Sequence, residues 1–141
     1  YFLGFCMTAV SNFALKNMIQ IRRPCINPHL FDLALEKGKH FVKRNGKRYH
    51  IYGMPSGHSQ ECGFTLVFLS LFLRDGWVSG FFFLITILTM YQRVLYEHHN
   101  IIQTLIGVTL GAICGIGMHY YAVKYIEGNL SEKQDDHCLY N

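Results

Sequence analysis

Four long apolar stretches alternate with short polar segments along this chain of 141 residues. They cover about residues 1–21, 55–73, 77–96 and 99–126. Each is close to the roughly 20 residues that an α-helix needs to cross a bilayer. The runs 66–73 and 81–85 have almost no polar face, which is typical of helices surrounded by lipid. The pattern predicts an all-α integral membrane bundle of about four transmembrane helices, with a soluble helical bundle as the weaker alternative.

The charge is concentrated between the first two stretches. Half of the residues are hydrophobic and only 16% are charged, and the segment 22–48 contains eight Lys or Arg residues against Asp32 and Glu36. Such a block between membrane helices indicates an anionic lipid or substrate rather than nucleic acid. We expect one domain, a membrane core at 1–126 with a basic loop at 25–54, followed by a polar tail at 127–141. The chain begins inside an apolar run without Met, so we expect further residues upstream.

The order of the stretches decides which ends share a membrane surface. The first ends where the loop to the second begins, and the third ends where the fourth begins, so these ends face the same side. Ionisable residues at a membrane edge indicate function. The residues that this topology collects at one edge are Lys16, Arg23, Ser56, Gly57, His58, Arg93 and His99.

The second stretch begins with a pattern suited to phosphate. Pro55 fits the first turn of a helix, where its missing N–H is not needed. Ser56 and Gly57 are small, so we expect backbone N–H groups at the helix start to stay open to an anion. His58 would place a proton donor beside them. The alternative is a polar loop that only precedes a membrane helix.

Three cations can complete such a site. Arg23 and Arg93 offer planar forks that bind phosphate oxygens at two points, and Lys16 supplies a point charge. The alternatives are that the two arginines are positive flanking charges and that Lys16 extends its ammonium to the interface.

His99 and Gln103 form the last candidate pair. They are four residues apart, so on a helix they share a face. The Gln103 side-chain oxygen can accept from Nδ1–H of His99 and leave Nε2 free to attack phosphorus. A lone histidine at this place would more often be an interfacial polar residue, but two histidines near three cations favour chemistry.

Small residues recur on one face of the fourth stretch. Gly107, Gly111 and Gly115 are spaced by four, which allows membrane helices to approach closely. We interpret this face as packing within the bundle, and a homodimer through it is the alternative.

Three motifs give the chain its resemblance to a family. It resembles the type 2 phosphatidic acid phosphatase (PAP2) superfamily, whose motifs are KxxxxxxRP, PSGH and SRxxxxxHxxxD. Residues 16–24 read KNMIQIRRP, residues 55–58 read PSGH, and residues 92–103 read QRVLYEHHNIIQ. Gln92 therefore replaces Ser, and Gln103 replaces Asp. The dolichyl-diphosphatase subfamily is similar in its final Gln and in the GMPS-HSQ surround at 53–60, with Gly57 where that subfamily usually has Ser.

The resemblance implies a lipid-diphosphate phosphatase without metal or other cofactor. It would hydrolyse a polyprenyl diphosphate, such as dolichyl diphosphate, to the monophosphate through a phosphohistidine. His99 would be the nucleophile, His58 the acid and Gln103 the orienting group. The phosphate-binding residues would be Lys16, Arg23, Ser56, Gly57 and Arg93. Two alternatives stay open: a phosphatase for another lipid phosphate or isoprenoid diphosphate, and a catalytically weak phospholipid-binding scaffold, which Gln103 favours.

Orientation has two conflicting signals. The resemblance implies the endoplasmic reticulum membrane with the site facing the lumen, whereas the basic segment would favour the cytosol by the positive-inside rule. We follow the resemblance, because substrate binding is a separate reason for positive charge. A lumenal site predicts that the sequon at 129–131 stays unmodified.

Overall fold

The computed structural model describes residues 1–44 and 46–127. The elements of this part, in chain order, are α1 (Phe2–Ile19), α2 (Pro28–Glu36), β1 (Phe41–Arg44), β2 (Lys47–His50), α3 (Gly57–Leu73), α4 (Gly76–Leu95), α5 (Ile101–Ala122) and a π-helical turn (Val123–Glu127). The predicted tail lies outside the described residues from 128 onward, and so does its sequon.

The prediction of a helical membrane bundle is confirmed. Within the described residues, α1, α4 and the continuous stretch Ile101–Tyr125 are long and apolar enough to cross a membrane. The second predicted span, α3, has 17 residues and a polar first turn. The number of helices with spanning length is therefore three in this part of the chain, and α3 is the shorter helix packed among them.

The centre of the bundle is the close approach of α3 and α5. A Cβ atom added at Gly107 would lie 2.6 Å from the Ser56 carbonyl oxygen, and one at Gly111 would overlap the carbonyl oxygen of Gln60. Only glycine therefore lets the two backbones pack at this distance. The interpretation of the glycine face as packing within the bundle is confirmed. A homodimer through Gly107, Gly111 and Gly115 stays a prediction, and it would require α3 to move aside.

A buried polar contact fixes α1 against α3. The side-chain amide of Asn12 donates to Oε1 of Gln60 at 2.7 Å, and Nε2 of Gln60 donates to the Ser11 hydroxyl at 3.0 Å. Both amides are buried. Hydrogen bonds of this kind set the rotation of one apolar helix on another, and here they turn the Lys16 end of α1 toward the start of α3.

The segment 25–54 is a folded cap, so its description as a loop was wrong. The Asn27 side chain accepts from the N–H of His29 and caps α2. Strands β1 and β2 then pair antiparallel, with Phe41 opposite His50. Asn-Gly at 45–46 is a strong hairpin signal in the sequence, although residue 45 itself lies outside the described part.

The cap is joined to the bundle by main-chain pairing beside α1. The Gly53 N–H donates to the Ile21 carbonyl at 2.7 Å, and the Arg23 N–H donates to the Ile51 carbonyl at 3.2 Å. A small core covers this pairing, made of Ile26, Ala34, Ile51 and Tyr52. The chain after α1 and the chain before α3 are therefore held side by side.

Two helix starts differ from the prediction. Ser56 is the N-cap of α3, so Pro55 lies before the helix and not in its first turn. Asn100 is the N-cap of α5, with a capping box to Gln103, so His99 also precedes its helix. The reasons differ: the Asn100 side chain accepts from the Gln103 N–H and so fixes the start of α5, whereas Ser56 makes no side-chain capping hydrogen bond and precedes α3 because its backbone is extended.

Candidate active site

His99 is held by three neighbours just before α5. Its Nδ1–H donates to the Gly53 carbonyl at 2.7 Å, since a carbonyl oxygen can only accept. Nε2 is then the unprotonated nitrogen, and Nη1 of Arg23 donates to it at 3.1 Å. The His99 N–H donates to the Arg93 carbonyl. The ring is buried, and burial, followed by the charge of Arg23, lowers the pKa of His99 to about 3. The imidazole therefore stays neutral, with its lone pair at Nε2.

Gln103 contacts His99 but has a second task. Its Oε1 lies 3.3 Å from Nδ1 of His99, which makes it a longer partner than the Gly53 carbonyl. The same oxygen accepts from the Asn100 N–H, and Nε2 donates to the Arg22 carbonyl at 3.1 Å. A carboxylate could not make this last bond, because it has no donor when ionised. Gln103 thus joins the first and third motifs.

Arg23 spans the space between the cap and His99. Besides the contact with His99, its Nε donates to the His50 carbonyl at 2.8 Å. Lys16 and Arg93 are close enough to interact with its charge electrostatically. The three predicted cations therefore converge, as the topology predicted.

Ser56 and Gly57 differ in how accessible they are. The Ser56 N–H donates to the Gln103 carbonyl at 3.1 Å, so the prediction that it stays open to an anion was wrong. The Ser56 side chain is buried and accepts from the Ser59 hydroxyl. Gly57 begins α3, where first-turn N–H groups have no intrahelical partner. A Cβ at Gly57 would lie 3.1 Å from Oδ1 of Asn12, so a larger residue here would require the Asn12 side chain to shift slightly.

His58, in the first turn of α3, lies close enough to Arg93, in the last turn of α4, to interact with its charge. His58 is exposed, and Arg93, Lys16 and Arg23 are the strongest charges acting on it. Nε of Arg93 is a buried donor without a hydrogen-bond partner among the described residues. Such a donor is costly unless a ligand satisfies it. Glu61 acts on both Lys16 and Arg93 and offsets part of their repulsion.

The sequence did not single out three groups at this site. They are the Gly53 carbonyl, the Arg22 carbonyl and the imidazole of His50, whose pKa is lowered to about 4 by burial and then by Lys16 and Arg23. The sequence signal available for Gly53 was a glycine just before the PSGH motif. The structure explains this glycine, since a Cβ there would lie 2.9 Å from Oε1 of Gln103. Gln92, the other departure in the third motif, is exposed and lies with Ile85, Leu88 and Thr89 beside an open surface cavity.

Comparison with known proteins gives two findings. The family description "PAP2 superfamily" matches residues 1–127. A dolichyldiphosphatase from Saccharomyces cerevisiae is 29% identical over 133 residues, which covers 87% of this chain and 50% of that protein. The chain therefore spans about half the length of this curated relative. No solved structure matches the chain significantly.

Proposed function

This chain belongs to the PAP2 superfamily, and we propose that it is a membrane phosphatase that hydrolyses a polyprenyl diphosphate, such as dolichyl diphosphate, to the monophosphate. One observation carries the proposal most strongly. The buried neutral ring of His99 has Nδ1–H fixed on the Gly53 carbonyl and Nε2 beside the guanidinium of Arg23. This is the arrangement that a nitrogen nucleophile for phosphorus requires.

The first step forms a phosphohistidine. The Nε2 lone pair attacks the terminal phosphorus, a P–N bond forms, and the anhydride P–O bond breaks. The departing lipid monophosphate carries away the bonding electrons, and His58 donates a proton to its oxygen. The positive charge that develops on His99 is stabilised through Nδ1–H by the Gly53 carbonyl and by Oε1 of Gln103.

We expect four groups to bind the phosphate. Arg23 exchanges its contact with Nε2 for phosphate oxygens, and the unpaired Nε of Arg93 donates to them. Lys16 adds charge, and the first-turn N–H groups that begin at Gly57 complete the cradle. Ser56 stays a predicted phosphate-binding residue, and its buried hydroxyl supports the start of α3.

The second step releases phosphate. Water attacks phosphorus, the P–N bond breaks, and the electrons return to Nε2 of His99. His58, neutral after the first step, accepts the proton from the water. The site then returns to its starting state without a change in any other group.

The choice of a polyprenyl diphosphate rests on two features. The relative is named a dolichyldiphosphatase, and the cap before α3 carries cations such as Lys39, Lys43 and Arg48, which line an open cavity on the hairpin. A phosphatase for another lipid is the nearest alternative. The scaffold alternative loses much of its support, because the Gly53 carbonyl accepts the bond that a missing Asp would otherwise accept. We place the protein in the endoplasmic reticulum with a lumenal site, following the subfamily resemblance.

The test is phosphate release from a panel of lipid mono- and diphosphates in detergent. We expect release by the wild type to persist in a chelator and to fall at least about a thousandfold in His99→Ala, because the nucleophile is lost. Acid-labile phosphohistidine should form in the wild type and not in His99→Ala. His29→Asn, an exposed histidine at the start of α2, is the matched control. Release that requires a divalent ion, or that survives in His99→Ala, would overturn the proposal.

A further inference from the structure

His50 ends β2 at the point where the cap meets α1. Directly opposed residues of an antiparallel pair share a face, so His50 lies beside Phe41. Lys43 and Arg48 form the next pair on that face, which borders an open cavity of about 500 Å³ lined in part by Lys39. A cationic surface therefore runs along the hairpin and ends at His50.

The tautomer of His50 is fixed by the backbone. The Tyr52 N–H donates to Nδ1 of His50 at 3.2 Å, so Nδ1 carries no proton. A neutral ring must then carry its proton on Nε2. That N–H has no hydrogen-bond partner among the described residues. The Nε2–H of partly exposed His50 is thus available to a ligand.

The position of the His50 ring is also fixed. Phe13 and Phe41 meet it edge to face, with ring centroids at 6.4 Å and 5.1 Å. The His50 carbonyl accepts from Nε of Arg23, whose Nη1 contacts His99. One guanidinium therefore joins the backbone of His50 to the ring of His99. Phe13 is exposed on α1, a suitable neighbour for a lipid tail that leaves the site.

We infer that Nε2–H of His50 donates to the retained, lipid-linked phosphate of a bound diphosphate and so favours diphosphates over monophosphates. The inference rests on the proposed function. With the terminal phosphate at Nε2 of His99, the second phosphate lies one bridging oxygen away, and the charges of Lys16 and Arg23 act on both the His99 ring and the His50 ring. A monophosphate has no group to occupy it.

The first test compares substrates with identical tails. We expect His50→Asn to lower the ratio of kcat/KM for farnesyl diphosphate to that for farnesyl monophosphate roughly tenfold to hundredfold, the effect of losing a hydrogen bond to a charged group. Asn places its amide near the Nδ1 position and cannot reach farther. His50→Gln reaches the Nε2 position and should restore much of the ratio, while His29→Asn should leave it unchanged. Equal losses on both substrates, or no rescue by Gln, would overturn the inference.

The second test measures binding without turnover. In the His99→Ala background, inorganic pyrophosphate should raise the melting temperature more than inorganic phosphate does. That difference should disappear in His99→Ala/His50→Asn. A difference that persists would overturn the inference. If the wild type hydrolyses no lipid phosphate but the His50-dependent difference is present, the proposed function fails while the binding site stands.

Discussion

His99 and His58 lie at the same membrane edge but are held in opposite ways. His99 is buried, and the Gly53 carbonyl, Arg23 and Gln103 occupy both of its ring nitrogens. His58 is exposed, and its side chain has no hydrogen bond with the described residues. The first histidine is positioned before substrate arrives, whereas the second has no such hydrogen bonds to position it.

This difference matches the two tasks that we propose. A nucleophile must approach phosphorus along one line, so a fixed ring saves the entropy of alignment. A proton donor must follow a leaving oxygen and later meet a water molecule, so a fixed ring would hinder it. Variants on the two sides should therefore fail in different ways.

The largest effect is expected on the His58 side. An alcohol leaving group needs a proton more than a phosphate leaving group does, so His58→Asn should reduce hydrolysis of farnesyl monophosphate by roughly 10²- to 10⁴-fold. Farnesyl diphosphate should lose clearly less. The measurement is kcat/KM for both substrates.

The direction of this change separates His58 from His50. His58→Asn should raise the diphosphate-to-monophosphate ratio, and His50→Asn should lower it. Because His58 is exposed and makes no hydrogen bond within the described part, the melting temperature should stay near that of the wild type. A loss that is equal on both substrates would refute the role of His58 as the acid.

A smaller loss is expected on the His99 side from a single methyl group. In Gly53→Ala the new Cβ would lie 2.9 Å from Oε1 of Gln103 and 3.1 Å from Cα of Arg23. The carbonyl that holds Nδ1 must then shift, and kcat should fall roughly tenfold to hundredfold through the weakened hydrogen bond. Because the same Cβ would also press on Arg23, a proposed phosphate-binding residue, we expect KM to rise as well, and the fall in kcat is the deciding measurement.

Gly80→Ala is the matched control for Gly53→Ala. Gly80 lies within α4, and a Cβ there would have no atom within 4 Å. We expect unchanged turnover and a slight gain in stability from the better helix former, about 0.5–1 kcal/mol. If Gly53→Ala raises KM while kcat is preserved, Gly53 does not position the nucleophile.

The apolar pattern predicted much of the fold, and the order of the apolar stretches predicted which motif residues share one edge. Turns such as 74–76 leave neighbouring helices antiparallel, so the order of apolar stretches alone places Arg23, Arg93 and His99 at one edge. Side chains with distinctive chemistry can be read in this way. The predicted contact of Gln103 with His99 also occurs, although His99 precedes the helix that was meant to align the two residues.

The groups that the sequence missed are mainly backbone atoms and a folded cap. Every residue has a carbonyl, so no residue type marks the acceptors at Gly53 and Arg22. Their role depends on the pairing of Ile21 with Gly53, which brings together segments 32 residues apart. The charge of segment 25–54 favoured a ligand-binding loop. Two local signals in the same segment are typical of folded structure: Asn27 as the cap of a helix and Asn-Gly at 45–46 as the turn of a hairpin.

The smallest expected effect is on the pH dependence of the free energy of unfolding, which should differ between buried His99 and exposed His29. The pKa values of His99 and His50 are lowered to about 3 and about 4 from the usual 6.5. Below about pH 6.5 the unfolded chain protonates these two histidines while the folded chain does not, down to about pH 4 for His50 and about pH 3 for His99. The free energy of unfolding therefore has its full value above about pH 6.5 and falls as the pH drops through this range. The slope should reach at most about 1.4 kcal/mol per pH unit for His99, with less for the partly exposed His50. The melting temperature in detergent, recorded as a function of pH, measures this slope. We expect His99→Phe to flatten the decline and His29→Asn to leave it unchanged. An unchanged slope in His99→Phe would contradict a buried neutral imidazole.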